Sequence, residues 1–164
     1  MKKIILLLSL ITVLGCKSKK AAAIPIEKPV EKIVKIKFSK LLLSEVDNNL
    51  KNKAYELGKR VLMTCNTSKF KPFNESEATE SVINNITEEK LSKTCAKFRQ
   101  RYGDFKDLEL VEIYNNNENN TTIFRHKALY TKKVANKELR VYMNEENKVS
   151  AIKSMDWVAV FDKK

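Results

Sequence analysis

The pattern of hydrophobic and polar positions divides the chain into four stretches, and the first contains an apolar run from Ile4 to Leu14 behind two lysines. A short basic segment followed by such a run is typical of a secretory signal. The run is too short to span a bilayer, which needs about 20 apolar residues. The sequence therefore predicts that residues 1–15 are a signal peptide.

The second stretch, residues 16–40, is basic and has no helical periodicity. Pro25 and Pro29 keep the residues before them out of the α region, so this segment is predicted to be an extended tether. Alternation over 33–38 also allows a short edge strand.

The third stretch has apolar residues at every third or fourth position over 43–65, which predicts one long helix. A second, short helix is predicted over 74–86, with Asn74 as its N-cap. A third is predicted to begin at a Thr87 cap and to end at Gly103.

After Gly103 the period changes to two, which predicts strands over 107–114, 121–131, 138–143 and 149–161. The predicted fold is therefore α+β: three N-terminal helices packed on a curved antiparallel β-meander of about four strands, forming a single domain over residues 41–164.

Charge limits the expected partners. Residues 17–40 hold eight lysines and two glutamates, a net +6, whereas residues 41–164 hold 22 basic and 18 acidic residues, a net +4, out of +12 in total. Because most of the excess lies outside the predicted domain, nucleic acid is not an expected partner.

The residues Val13-Leu14-Gly15-Cys16 resemble the bacterial lipobox. The resemblance implies that Cys16 is the lipid attachment site, becomes the new N-terminus after cleavage, and holds the protein on a membrane of the bacterial cell envelope, periplasmic or outer face, without a transmembrane helix. The alternative is an ordinary signal-peptide cleavage site that has a cysteine nearby.

The segments Tyr102-Gly103-Asp104-Phe105, 123–130 and 139–152 are similar to the nuclear transport factor 2-like superfamily, in particular to its small secreted bacterial members. The resemblance covers the chain from Leu41 onward. It implies a cone-shaped domain with a pocket between the helices and the concave side of the sheet. Members of the superfamily include enzymes, ligand binders and assembly domains, so the resemblance constrains fold more than activity.

Several chemistries have no basis in the sequence after residue 15. Gly58 and Gly103 are the only glycines there, too few for a glycine-rich phosphate loop, and His126 is the single histidine, so sites built from two or three histidines are excluded. No cofactor and no metal is expected. Export would make a disulfide between Cys65 and Cys95 feasible, because both lie on apolar helix stripes; two buried free thiols are the alternative.

Strand parity places Phe124, His126 and Tyr130 on one face of the third predicted strand and Arg125 with Lys127 on the other. The first three are the candidate pocket on the concave side. The opposite face could dock an acidic surface. His126 is the candidate for catalysis, but no acid partner is identifiable for it.

The function expected from these observations is a membrane-tethered envelope lipoprotein with a non-catalytic domain that binds a small ligand or an envelope protein. The alternative is a small envelope enzyme that uses His126. A hydrophobic pocket without a polar pair favours the binding domain.

Overall fold

The computed structural model describes residues 36–162 of the chain. The predicted signal peptide, Cys16 and nearly all of the predicted tether lie outside these residues. The elements in chain order are strand β1 (Phe38–Leu41), helices α1 (Asn48–Thr67), α2 (Glu80–Asn85) and α3 (Glu88–Tyr102), and strands β2 (Phe105–Asn116), β3 (Thr121–Tyr130), β4 (Lys137–Met143) and β5 (Val149–Asp156). The fold is α+β.

The five strands form one antiparallel sheet in the order β1-β2-β3-β4-β5. About four strands are predicted, and the additional one is β1, which lies at the end of the predicted tether and begins at Phe38, the last residue of the edge strand that alternation allows over 33–38. Phe38 of β1 lies opposite Asn116, and Leu41 lies opposite Ile113. Four residues are too few to predict a strand alone, but β2 is long enough to offer them a pairing edge.

The last strand is shorter than predicted. Strand β5 ends at Asp156, and the backbone N–H of Trp157 then donates to the carbonyl of Asn136 at 3.0 Å. Residues 157–162, the C-terminal segment, leave the sheet edge and return across one of its faces. The period-two pattern over 149–161 therefore extends past the end of β5, and its last residues belong to the C-terminal segment and not to the sheet.

Helix boundaries follow their capping residues. Helix α1 begins after Asp47, whose Oδ1 accepts from Asn49 N at 2.6 Å, so Leu43 precedes the helix and is exposed. Asn74 and Glu77 form a separate turn in which each side chain accepts from the other's backbone N–H, which explains why α2 begins later than predicted.

Helix α3 has the predicted ends. Thr87 Oγ1 accepts from Lys90 N at 3.4 Å, and Gly103 ends the helix with a φ of +79°. A side chain at position 103 would meet Thr131, so glycine is required there for space as well as for backbone conformation.

The core lies between α1 and one face of the sheet, which we call the helix face. Ala54, Leu57 and Val61 of α1 are buried there. A Cβ atom at Gly58 would lie 2.9 Å from the terminal methyl groups of Leu139 and Val141, so the missing side chain allows α1 to approach β4 closely. The opposite face of the sheet is called the outer face.

A disulfide joins α1 to α3. Cys65 and Cys95 are bonded, with their Cα atoms 4.8 Å apart, which is within the usual range. The two helices pack against each other, so the cysteines on their apolar stripes meet. None of the helices in residues 36–162 has the length and apolar character needed to cross a bilayer.

Candidate functional site

The predicted pocket residues share one face, but that face is filled. Phe124 lies opposite Val141 and His126 opposite Leu139 in the pairing of β3 with β4, all on the helix face. Phe124 and His126 have no exposed surface. These residues therefore belong to a packed core and not to the predicted pocket, because β4 side chains and α1 occupy the space that a cone-shaped pocket needs.

His126 is a buried neutral histidine. Neither ring nitrogen has a hydrogen-bond partner among the described residues. Burial lowers the pKa of His126 to about 4, and nearby backbone groups of Phe124 and Leu139 oppose this shift only partly. A side chain in this position has no access to a substrate in solution.

Tyr130 packs among aromatic rings. Its ring centroid lies 5.9 Å from that of Tyr102 and 5.7 Å from that of Phe105. Burial, with a smaller contribution from Tyr102, raises the pKa of Tyr130 to about 12, so its phenol stays protonated at neutral pH. Asp156 lies at the exposed end of β5 and pairs with Lys137 at 2.8 Å, so it does not serve as a partner of His126.

The outer face carries a buried ion network. Arg125 Nη2 lies 2.7 Å from Glu138 Oε2, and Arg125 Nη1 lies 2.7 Å from Glu112 Oε2. Arg140 Nε donates to Glu138 Oε1. Arg125, Glu138 and Arg140 are at most 1% exposed. The expectation that Arg125 and Lys127 together dock an acidic surface is therefore wrong for Arg125, because carboxylates of neighbouring strands already bind it.

The C-terminal segment covers this network. The guanidinium carbon of Arg125 lies 4.1 Å from the ring centroid of Trp157, and that of Arg140 lies 4.4 Å from the ring centroid of Phe161. The same two arginines donate to the carbonyl oxygens of Val158 and Asp162. Cation–π contacts and hydrogen bonds thus hold the segment on the sheet.

Strand β1 is tied to the same network. Lys40 Nζ donates to Glu112 Oε1 at 2.8 Å. Burial acts to raise the pKa of Glu112, but hydrogen bonds from Lys40 and Arg125 outweigh it and hold the pKa below its ordinary value. Phe161 also stacks on Tyr114, with centroids 3.9 Å apart, and meets Phe38 edge-on.

Beside the network lies an open groove, which we call the outer groove, with a volume of about 480 Å³. Within residues 36–162, no carboxylate lines this groove. Its walls include three cationic side chains, Lys37, Arg140 and Lys153, and three aromatic ones, Phe38, Tyr142 and Phe161. A concave surface with apolar rings and a few polar groups is the usual composition of a small-molecule site.

Sequence reasoning missed the outer groove because its walls come from distant parts of the chain. One signal was present: Arg125 and Arg140 share a parity with Glu138 on adjacent strands, and two aromatic residues follow β5. Within the described residues, no group of three or more His, Cys, Asp or Glu side chains is placed to hold a metal ion.

No family model, no curated protein and no solved structure matches this chain.

Proposed function

We propose that this protein is a lipoprotein of the bacterial cell envelope, held on a membrane through Cys16, whose folded domain binds a ligand at the outer groove without catalysing a reaction. The observation that carries the binding proposal is the contrast between the two faces of the sheet. The helix face is filled by core side chains, whereas the outer face keeps an open groove with aromatic and cationic walls.

The proposed location rests on the lipobox resemblance and is supported by the disulfide. Disulfides persist in the oxidising compartments that exported proteins enter and are rare in the cytosol. The Cys65–Cys95 bond is compatible with export. Lipid chains on Cys16 would supply about 0.8 kcal/mol per buried methylene, enough for anchoring when more than one chain is attached.

Binding is favoured over catalysis by the environment of the candidate catalytic residue. The alternative of a small envelope enzyme depended on His126, which is fully buried and lacks a hydrogen-bonded acid partner among the described residues. A general base must come within hydrogen-bond reach of the proton that it removes. His126 does not meet this condition without unpacking the core.

We also propose that the domain is a filled variant of the nuclear transport factor 2-like architecture. In support, the long helix α1 lies against an antiparallel meander and is bonded to α3. The filled helix face departs from the pocket that this resemblance implies. A nuclear magnetic resonance or crystal structure with a solvent-filled cavity beside His126 would remove this distinction.

Metabolic labelling with an alkyne fatty acid tests the anchor. The wild-type chain should take up the label and sediment with membranes, whereas Cys16→Ser should do neither. Ser18→Ala is the matched control, because it changes a residue of the predicted tether close to Cys16 while keeping Cys16 itself and the Cys65–Cys95 disulfide. Labelling of Cys16→Ser at the wild-type level would contradict the proposed anchor.

Photocrosslinking in intact cells tests binding at the outer groove. The exposed residue Asn119 lines the groove and can be replaced by benzoylphenylalanine; Lys106, exposed on β2 away from the groove, receives the same replacement as a control. Light should produce a defined mass adduct at position 119 and none at position 106. Equal adducts at both positions, or none at either, would contradict the proposal that the groove binds a ligand in cells.

A further inference from the structure

The outer groove has a charge pattern that selects one class of ligand. Lys37, Arg140 and Lys153 line it, and no Asp or Glu side chain does. Resting on the proposed binding function, we propose that the outer groove binds a small soluble organic anion, a carboxylate or a phosphate ester attached to a flat apolar body.

Arg140 supplies a donor that the protein leaves unused. Its Nε donates to Glu138 and its Nη1 donates to the Asp162 carbonyl at 2.6 Å. Its Nη2 has no partner among the described residues, although the side chain is only 1% exposed. A buried donor without an acceptor is unfavourable, and because Arg140 lines the groove, an anionic oxygen that reaches Nη2 would satisfy it with a charge-assisted bond.

The two lysines supply exposed positive charge at the groove. Within the described residues, no carboxylate forms an ion pair with Lys153. Its Nζ lies 5.3 Å from the ring centroid of Tyr142. Lys37 pairs with Glu118 at 2.7 Å, but both side chains are more than half exposed. Such exposed pairs contribute little, so a ligand anion can replace Glu118 as the partner of Lys37.

The aromatic walls indicate that the anion carries an organic group. Phe38, Tyr142 and Phe161 line the groove beside the cationic side chains. The volume of about 480 Å³ lies in the range of small-molecule sites and exceeds what a bare inorganic ion needs. Rings bury apolar surface against a flat ligand, while the cationic groups fix the end that carries the charge.

Titrations of the ¹⁵N-labelled full chain in detergent micelles test the proposal. Phenyl phosphate and benzoate are the probes, and benzyl alcohol is the neutral control of similar size. Either anion should give saturable amide shifts at Tyr142, Ala151 and Lys153. Benzyl alcohol should bind at least about tenfold more weakly, because it lacks the charge that the groove binds.

A pair of charge-removing variants locates the effect. Lys153→Gln should raise the Kd of the anionic probe about tenfold, the loss expected for one charge-assisted hydrogen bond. Lys106→Gln makes the same charge change outside the groove and should leave the Kd within about twofold, because screening weakens distant surface charges. Matching thermal unfolding curves would show that both variants remain folded.

Three results would overturn the proposal: no saturable shift with either anion, equal binding of benzyl alcohol, or equal weakening by both variants. A photocrosslinked adduct at position 119 without anion binding would leave the proposed binding function intact and reject only the anionic ligand. Anion binding in the absence of any adduct in cells would support the groove chemistry and reject the proposed cellular function.

Discussion

Protonation of His126 should make the folded domain sensitive to mild acid. The pKa of this histidine is about 4 in the folded protein, lowered by burial from an ordinary value of 6.5. Between these two values the unfolded chain binds a proton that the folded chain does not. The free energy of unfolding is therefore fully retained above pH 6.5 and decreases as the pH falls toward 4.

The size of the effect follows from the two pKa values. Each unit of difference corresponds to 1.36 kcal/mol, so the shift of His126 predicts a loss of roughly 3 kcal/mol between pH 7 and pH 4. A domain of this size has a total stability of about 5–15 kcal/mol, so the loss should be a large share of it.

Replacing His126 by leucine should remove this sensitivity. Leucine has a similar volume and no titrating group, and it eliminates ring nitrogens that have no partner among the described residues. We expect His126→Leu to be as stable as the wild type at pH 7 or more stable by about 1–2 kcal/mol, because unsatisfied buried polar groups cost about 1–3 kcal/mol. Urea unfolding followed by far-ultraviolet circular dichroism at pH 7, 5.5 and 4 measures both differences.

Carboxyl groups titrate in the wild type and the variant alike. A hydrogen bond from Arg60 holds the pKa of Glu77 below its ordinary value, so this pair also loses stability as the pH falls, but equally in both proteins. Phe124→Leu is the core control and should follow the wild-type pH dependence. Parallel losses for wild type and His126→Leu between pH 7 and pH 4 would refute the reasoning.

Three further changes test the contacts that hold the fold. Replacing Cys65 and Cys95 by alanine should lower the free energy of unfolding in urea by roughly 3–4 kcal/mol, since the bond closes a loop with a separation of 30 residues; an unchanged midpoint would contradict this. Glu138→Gln should lower the free energy of unfolding by about 3–5 kcal/mol, because it leaves buried guanidinium groups without their carboxylate. A loss smaller than that caused by an exposed Glu→Gln change would contradict the buried ion network. Gly58→Ala should destabilise by about 1 kcal/mol, because overpacking against β4 exceeds the gain in helix propensity; increased thermal stability would show that α1 does not approach β4 so closely.

Elements whose signals lie within their own residues were predictable from the sequence. Helix α3 is the clearest case: a Thr87 cap begins it and Gly103, which needs a positive φ, ends it. The faces of β3 were also predictable, because strand parity alone puts Phe124 and His126 together. These features depend on the conformation and spacing of residues that are neighbours in sequence, so a short segment is enough to predict them.

Elements that need a distant partner were not predictable in the same way. Strand β1 exists because β2 offers it an edge; the alternation over 33–38 allows an edge strand but does not fix its register, so it misses the pairing that continues to Leu41. Trp157 and Phe161 continue a strand-like alternation, yet they lie on the guanidinium groups of Arg125 and Arg140. A hydrophobic residue in the sequence indicates that its side chain is buried, but it does not indicate whether a residue on a neighbouring strand or an arginine side chain buries it.

The candidate site lies on the face of the sheet opposite to the predicted one, and the reason is again that distant residues decide which face is filled. Parity separates two faces without saying which face is filled, and the resemblance to a cone-shaped family favoured a pocket at His126. In this chain Gly58 lets α1 close that space, while on the outer face Phe161 covers Arg140 and also lines the outer groove beside it. The C-terminal segment that stabilises the buried charges therefore also sets the boundary of the proposed binding site.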